Sequence, residues 1–184
     1  MKKTLLLIAL LAVTLRVAIA ERADSAKPTE ILADSASDDD VKQIRTLTGN
    51  VVLTRGTLIM KAGKAVVKTD PEGYSFATFT APPGGIATFR QKRDGGDFWV
   101  EGQAERIEYD NKLEIVKLYS KAKLTKLEGT RATDEVEGAY ISYDSRKEYF
   151  ALENSTSGES KPGGGRVKMV IQPVIKPGPA PAGK

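Results

Sequence analysis

Ile44-Arg45-Thr46-Leu47-Thr48-Gly49-Asn50-Val51-Val52-Leu53-Thr54-Arg55 is the stretch whose reading decides the fold. Leu47, Val51 and Leu53 share one parity with Gly49, while Ile44, Thr46, Thr48 and Thr54 take the other. A period of two places alternate side chains on opposite faces, as in a half-buried strand. Outward from this stretch the same pattern returns in short runs: Leu58 to Met60, Ala65 to Val67, Phe76 to Phe79, Ile86 to Phe89, Phe98 to Val100 and Ile107 to Tyr109. It continues through Ile115 to Tyr119, Tyr140 to Tyr143, Tyr149 to Leu152 and Val167 to Ile171. These runs are rich in Val, Ile, Thr, Tyr and Phe, and turn residues separate them, as in Asp70-Pro71-Glu72-Gly73 and Asp94-Gly95-Gly96-Asp97. The chain therefore reads as all-β, built from strands of four to eight residues.

Internal repetition accompanies the alternation. Val100-Glu101-Gly102 precedes Ile107-Glu108-Tyr109-Asp110, and Val136-Glu137-Gly138 precedes Ile141-Ser142-Tyr143-Asp144. Val51 to Arg55 likewise pairs with Ala122 to Lys126, and Ala62 to Asp70 is a weaker third copy of the first unit. A strand–turn–strand unit cannot bury its own apolar face, so neighbouring units must stack.

Composition removes most chemistry. The 184 residues contain no His and no Cys. That leaves no Ser-His-Asp triad, no thiolate nucleophile, no imidazole or thiolate metal site and no disulfide. The expectation is a protein that is not an enzyme, with no catalytic residue, no metal and no cofactor. A carboxylate-only glycosidase would need a carboxylate pair beside aromatic platforms, and Trp99 is the only Trp; it reads as a core residue.

Residues 1–20 read as a Sec-type signal peptide cleaved after Ala20: Lys2 and Lys3, an apolar run from Leu5 to Val13, and Ala18-Ile19-Ala20. The uncharged run from Thr4 to Leu15 is 12 residues, against about 20 needed to span a bilayer. The formal net charge of +4 sits at the ends, since residues 1–20 and the tail from Lys161 are basic with no acid. Residues 21–160 carry 20 bases and 24 acids, so no basic face supports nucleic-acid binding. Residues 21–28 read as a flexible lead-in, 154–165 as a linker, 166–172 as a candidate extra edge strand, and 173–184 as a disordered Pro/Gly/Ala/Lys tail.

Leu47 to Thr54, then Gly63-Lys64-Ala65-Val66-Val67, then Gly102-Gln103-Ala104-Glu105-Arg106-Ile107-Glu108-Tyr109-Asp110 resemble OstA-like repeats of the LptA family of periplasmic lipopolysaccharide-transport bridge proteins. The order of elements matches over roughly residues 28–153. The chain departs in two places. Ser120-Lys121-Ala122 lacks the glycine expected at the second such position, and residues 127–135 read as an enlarged loop.

The resemblance implies a β-jellyroll over 29–153, folded as a V-shaped, partly open antiparallel double sheet with an apolar lumen for lipid A acyl chains. It implies lumen contacts at Ile31, Phe89 and Leu118, beside the plainer reading of core residues between two sheets. Ile107, Tyr109, Ile141 and Tyr143 are candidates because they recur in both repeats, a recurrence that suits core packing at least as well as lumen lining. The partners it implies are lipopolysaccharide, an inner-membrane-anchored LptC-like jellyroll protein, the periplasmic domain of an LptD-like outer-membrane barrel, and further copies of the chain joined head to tail. The location it implies is the periplasm. Composition alone also admits an exported β-repeat scaffold without lipid. Asp38-Asp39-Asp40 reads as an edge-protecting charge run rather than a calcium site, because adjacent strand residues point to opposite faces. Lys92-Arg93, Lys121, Lys123 and Lys126 offer cations for lipid phosphates or acidic sugars at a rim, beside the plainer reading of solvated side chains.

Overall fold

The computed structural model describes Asp24 and residues 26–173. The signal-peptide segment and residues 174–184 of the tail lie outside the described residues. Twelve antiparallel strands follow in chain order: β1 (Glu30–Leu32), β2 (Ser35–Asp39), β3 (Ile44–Arg55), β4 (Leu58–Thr69), β5 (Ser75–Thr80), β6 (Ala87–Lys92), β7 (Phe98–Ala104), β8 (Arg106–Asp110), β9 (Ile115–Glu128), β10 (Arg131–Asp144), β11 (Tyr149–Glu153) and β12 (Lys168–Ile171). The chain is all-β, as its alternation requires.

The register resolves these strands into eight columns that all cross one crease. On one side, sheet I runs β1-β3-β4-β6-β7-β9-β10-β12, and on the other, sheet II runs β2-β3-β4-β5-β8-β9-β10-β11. β3, β4, β9 and β10 are 12 to 14 residues long and belong to both sheets. Each of the other columns is made of two short strands, adjoining at Glu105 in the case of β7 and β8 and separated by residues 154–167 in the case of β11 and β12. Hydrogen bonds carry the ladder across the crease, from Asp34 N–H to Gly49 O (2.9 Å), Ala81 N–H to Glu105 O (2.9 Å) and Glu105 N–H to Ser120 O (3.0 Å).

Four of the strands, β3, β4, β9 and β10, are thus longer than the runs of four to eight residues that the sequence marks out. The bends sit inside strands, where a turn signal looks like a terminus. In β3, Gly49 and Asn50 take φ of 79° and 45°, and in β9, Ser120 and Lys121 take 62° and 52°. The bend at 120–121 therefore exists without its glycine, held in a left-handed conformation that costs an L-residue about 1–2 kcal/mol. The segment 127–135 is no enlarged loop: β9 runs to Glu128, β10 starts at Arg131, and a tight turn at Gly129-Thr130 joins them.

The columns also explain the repeats. The β7–β8 column and β10 both run from sheet I to sheet II, so Ile107 and Ile141 come to equal depth with Leu118 between them. β3 and β9 both run the opposite way, which is why 51–55 resembles 122–126.

Residues flanking the body are held to it. Asp24 is buried and accepts hydrogen bonds from Thr57 N–H (2.9 Å) and Thr57 Oγ1 (2.5 Å). The segment between β11 and β12 folds on Asn154, which receives Lys161 N–H at 2.8 Å and donates Nδ2 to Lys161 O at 2.9 Å. β12 pairs with the first half of β10, Met169 opposite Val136, and forms one edge of sheet I. Trp99 is not in the core. It faces outward from β7, with the Arg90 guanidinium 4.3 Å from its ring centroid and its Nε1–H donated to Asp97 at 2.8 Å.

Candidate functional site: the facing inner surfaces and their mouth

One parity of every column points inward, and the inward residues form rows at fixed depth. In sheet I the row Ile31, Leu53, Met60, Phe89, Gly102, Leu124, Val136, Met169 runs opposite pair by opposite pair across all eight columns. In sheet II the matching row is Ala36, Leu47, Ala65, Phe79, Ile107, Leu118, Ile141, Leu152. The two faces bury one continuous apolar cluster in which Phe79, Ile107, Leu118 and Ile141 have no exposed surface. Cross-strand apolar pairs of this kind are the unit of sheet stabilisation.

Phe89 and Gly102 are a matched pair in that row. A Cβ on Gly102 would lie 2.1 Å from Phe89 Cε1, so the ring covers the glycine and fills its gap. All seven candidate contact residues stand on the inner faces. Ile31 and Phe89 lie in the sheet I row, and Ile107, Leu118 and Ile141 in the sheet II row. Tyr109 and Tyr143 sit one row farther from the crease, on either side of Val116. Met60, Leu124 and Val136 in the row of Phe89, and Phe79 in the row of Leu118, are as buried as Phe89 and Leu118 and were not singled out from sequence. Counting by twos from Leu53 finds Met60 only when the register between strands is known.

The margin opposite the crease, here called the mouth, is different in character. The outermost inward row of sheet I contains Arg55, Leu58, Gln91, Val100, Lys126 and Asp134. Three cations from sheet I reach across to sheet II. Arg55 Nη1 donates to Asn111 Oδ1 at 2.6 Å, and its Nη2 donates to the Tyr109 hydroxyl. Arg93 Nη2 pairs with Glu148. The Lys126 ammonium lies 4.7 Å from the Phe150 ring centroid. Burial, then the nearby Arg93 charge, holds the Lys126 amine below its usual range, with Asp134 and Glu148 opposing. Arg55 shares the parity of Val51 and Leu53, so the alternation itself places it inward, although its charge argues for the surface.

The two sheets end in open edges. β1 and β12 close the two sides of sheet I, and β2 and β11 those of sheet II. Leu32, Met169 and Ile171 on these edges are at least half exposed. On β2, Asp38 pairs with Arg45 and Asp39 with Lys42, so that acidic run is an ion-paired edge. Among the described residues, no group of three or more His, Cys, Asp or Glu gathers to hold a metal, and no helix is long and apolar enough to cross a membrane.

A family model described as LptA/(LptD N-terminal domain) LPS transport protein matches residues 30–149. The chain is 31% identical over 144 residues to the lipopolysaccharide export system protein LptA of Haemophilus influenzae, covering 78% of this chain and 79% of that one. It is 31% identical over 134 residues to LptA of Escherichia coli K12, covering 73% and 70%. It also matches the crystal structure of LptH, the LptA-homologous periplasmic component of the lipopolysaccharide transport device of Pseudomonas aeruginosa, with a TM-score of 0.70 at 27% identity over 82% of this chain and 99% of that one. Eight creased columns, two apolar inner rows and these relatives lead to one assignment: the chain belongs to the LptA/LptD N-terminal-domain family of lipopolysaccharide transport proteins.

Proposed function

We propose that the protein binds lipopolysaccharide by its lipid A acyl chains between the two inner faces and carries it across the periplasm, from inner to outer membrane, within a bridge of edge-paired jellyrolls. The observation that carries this reading is the pair of uninterrupted apolar rows, which span every column and end at open strand edges. Burying a methylene is worth about 0.8 kcal/mol, so a chain of about twelve carbons gains on the order of 10 kcal/mol when fully sheltered. That is enough to hold a lipid without a specific polar contact. Ile31, Phe89 and Leu118 are the foremost contacts in this reading, with Ile107, Tyr109, Ile141 and Tyr143 beside them. No residue is assigned a catalytic role, and the chemistry is burial alone.

Because the inner faces pack closely, the chains must part them, and the mouth contacts are what has to yield. Exposed ladder groups on the edge strands supply the second half of the function, since an unpaired edge is a template for another strand. The partners are then an LptC-like protein upstream, an LptD-like periplasmic domain downstream, and copies of this chain between them. The close packing of the inner faces also suits an exported scaffold that takes no lipid.

The test is photo-crosslinking to purified lipopolysaccharide, with the probe at Phe89 and Leu118 and controls at the outward-facing Lys64 and Lys117. Adducts at the inner pair alone are expected. A folded protein that gives none, or gives them equally at all four positions, is the scaffold and not the carrier.

A further inference from the structure

Among the described residues, Arg55 is a buried cation at the mouth with no ion pair. It is 7% exposed, yet its partners are a phenol and a carboxamide, Tyr109 and Asn111, and its Nε is buried with no hydrogen-bond partner. No carboxylate lies within ion-pair reach of it among the described residues, whereas Arg93 has Glu148. Asp24, docked on the same turn, gives its carboxylate to Thr57 instead. A buried guanidinium with only neutral partners is costly, because the protein returns less than the hydration it removes. The planar fork is also suited to bidentate recognition of a phosphoryl group.

Its depth fits such a partner. Arg55 stands two residues outward of Leu53, which lies in the apolar row of sheet I. Two residues of strand span about 7 Å. An amphiphile whose chains lie along that row brings its headgroup to the level of Arg55. We infer that Arg55 is an anion subsite at the mouth, exchanging Tyr109 and Asn111 for a phosphate on the headgroup of the bound lipid. This rests on the lipid-carrying function above, and it adds a polar determinant of which lipid is carried.

The experiment compares the affinities of the purified protein for bisphosphorylated lipid A and for the same acylated disaccharide with both phosphates removed. Wild-type protein is expected to favour the phosphorylated lipid about tenfold, the scale of one charge-assisted bidentate contact. R55Q should bring the two affinities together by weakening binding of the phosphorylated lipid alone. R55K, which keeps the charge and loses the fork, should retain a reduced preference and serves as the second variant if R55Q does not fold.

Inorganic phosphate at matched ionic strength should leave the wild-type preference intact. Its abolition by free phosphate would make this a site for the inorganic ion and overturn the assignment. Equal weakening of both lipids by R55Q means a purely structural Arg55, and an unchanged preference in R55Q or R55K also overturns the subsite. Wild-type binding to both lipids with equal affinity removes the subsite and leaves the carrier standing. Binding to neither removes both.

Discussion

Replacing Gly102 by alanine adds one methyl group at the most crowded point of the inner face. The new Cβ would stand 2.1 Å from Phe89 Cε1 and 2.7 Å from Cδ1, so the ring itself has to move. Phe89 is 2% exposed, and its inward side meets the buried cluster rather than solvent. Overpacking of this kind costs about 1–3 kcal/mol. Phe89→Ala alone should cost about 3–5 kcal/mol, toward the upper end because Gly102 offers no side chain to collapse into the space. In the F89A background, G102A should instead be neutral or stabilising by about 0.5–1 kcal/mol, since the methyl enters a void and removes a strand glycine. The coupling between the two changes is then roughly 2–3 kcal/mol. Urea unfolding of the four proteins, extrapolated to zero denaturant, measures it. Additivity within about 0.5 kcal/mol would refute the claim that this ring sits on this glycine.

Other expectations follow from the crease, the mouth and the edges. Ser120→Gly should stabilise the chain by about 0.5–1 kcal/mol, because Ser120 holds a φ of 62° that glycine adopts freely; a loss in thermal unfolding would show that the serine has a compensating contact. Gly49→Ala should destabilise strongly, since its φ is 79° and its Cβ would meet Asp34 Oδ2 at 2.1 Å; a melting temperature equal to wild type counts against that bend. Asp144 is acted on by burial, which raises its pKa, and by Lys147 Nζ and N–H, which bond it and leave the net value below the ordinary 3.8. Its ionised form therefore favours the folded state above pH of about 4, and that contribution is lost as pH falls through the lowered value. The stability gap between wild type and D144N should accordingly narrow on acidification, and a gap that widens reverses the assignment. Removing residues 154–184 bares the ladder groups of β10 from Asp134 to Glu137 and should lengthen oligomers. An unchanged size distribution would show that β12 does not block that edge.

Alternation from Leu47 to Leu53 was enough to place the inner face of β3, and the repeats were enough to announce equivalent columns. The length of the strands was not legible. At Gly49-Asn50 and Ser120-Lys121 the chain bends without leaving its ladder, and a local pattern cannot distinguish a bend from an end. The stretch 127–135 read as an enlarged loop, yet the ladder continues through it: Lys126 keeps the inward parity of Leu124, and Glu128 opposite Arg131 leads into a tight turn. Trp99 read as core, but in β7 its parity opposes that of Val100, and stacked Arg90 covers its ring. Arg55 was hidden by the opposite habit: its parity pointed inward while its charge pointed out, and only the partners across the mouth settle the matter.

The crease makes depth and distance independent. Each residue step along a column changes how far a point lies from the mouth, while each step between columns, about 4.8 Å, leaves that distance unchanged. A long apolar molecule lying along the rows can therefore shift sideways by one column and find the same cross-section, differing only in which side chain occupies it, as from Met60 to Phe89 to Gly102. Its transfer free energy is nearly constant along that direction and falls steeply only toward the mouth. Columns added at either edge, by whatever chain supplies them, would lengthen this level track without altering its profile.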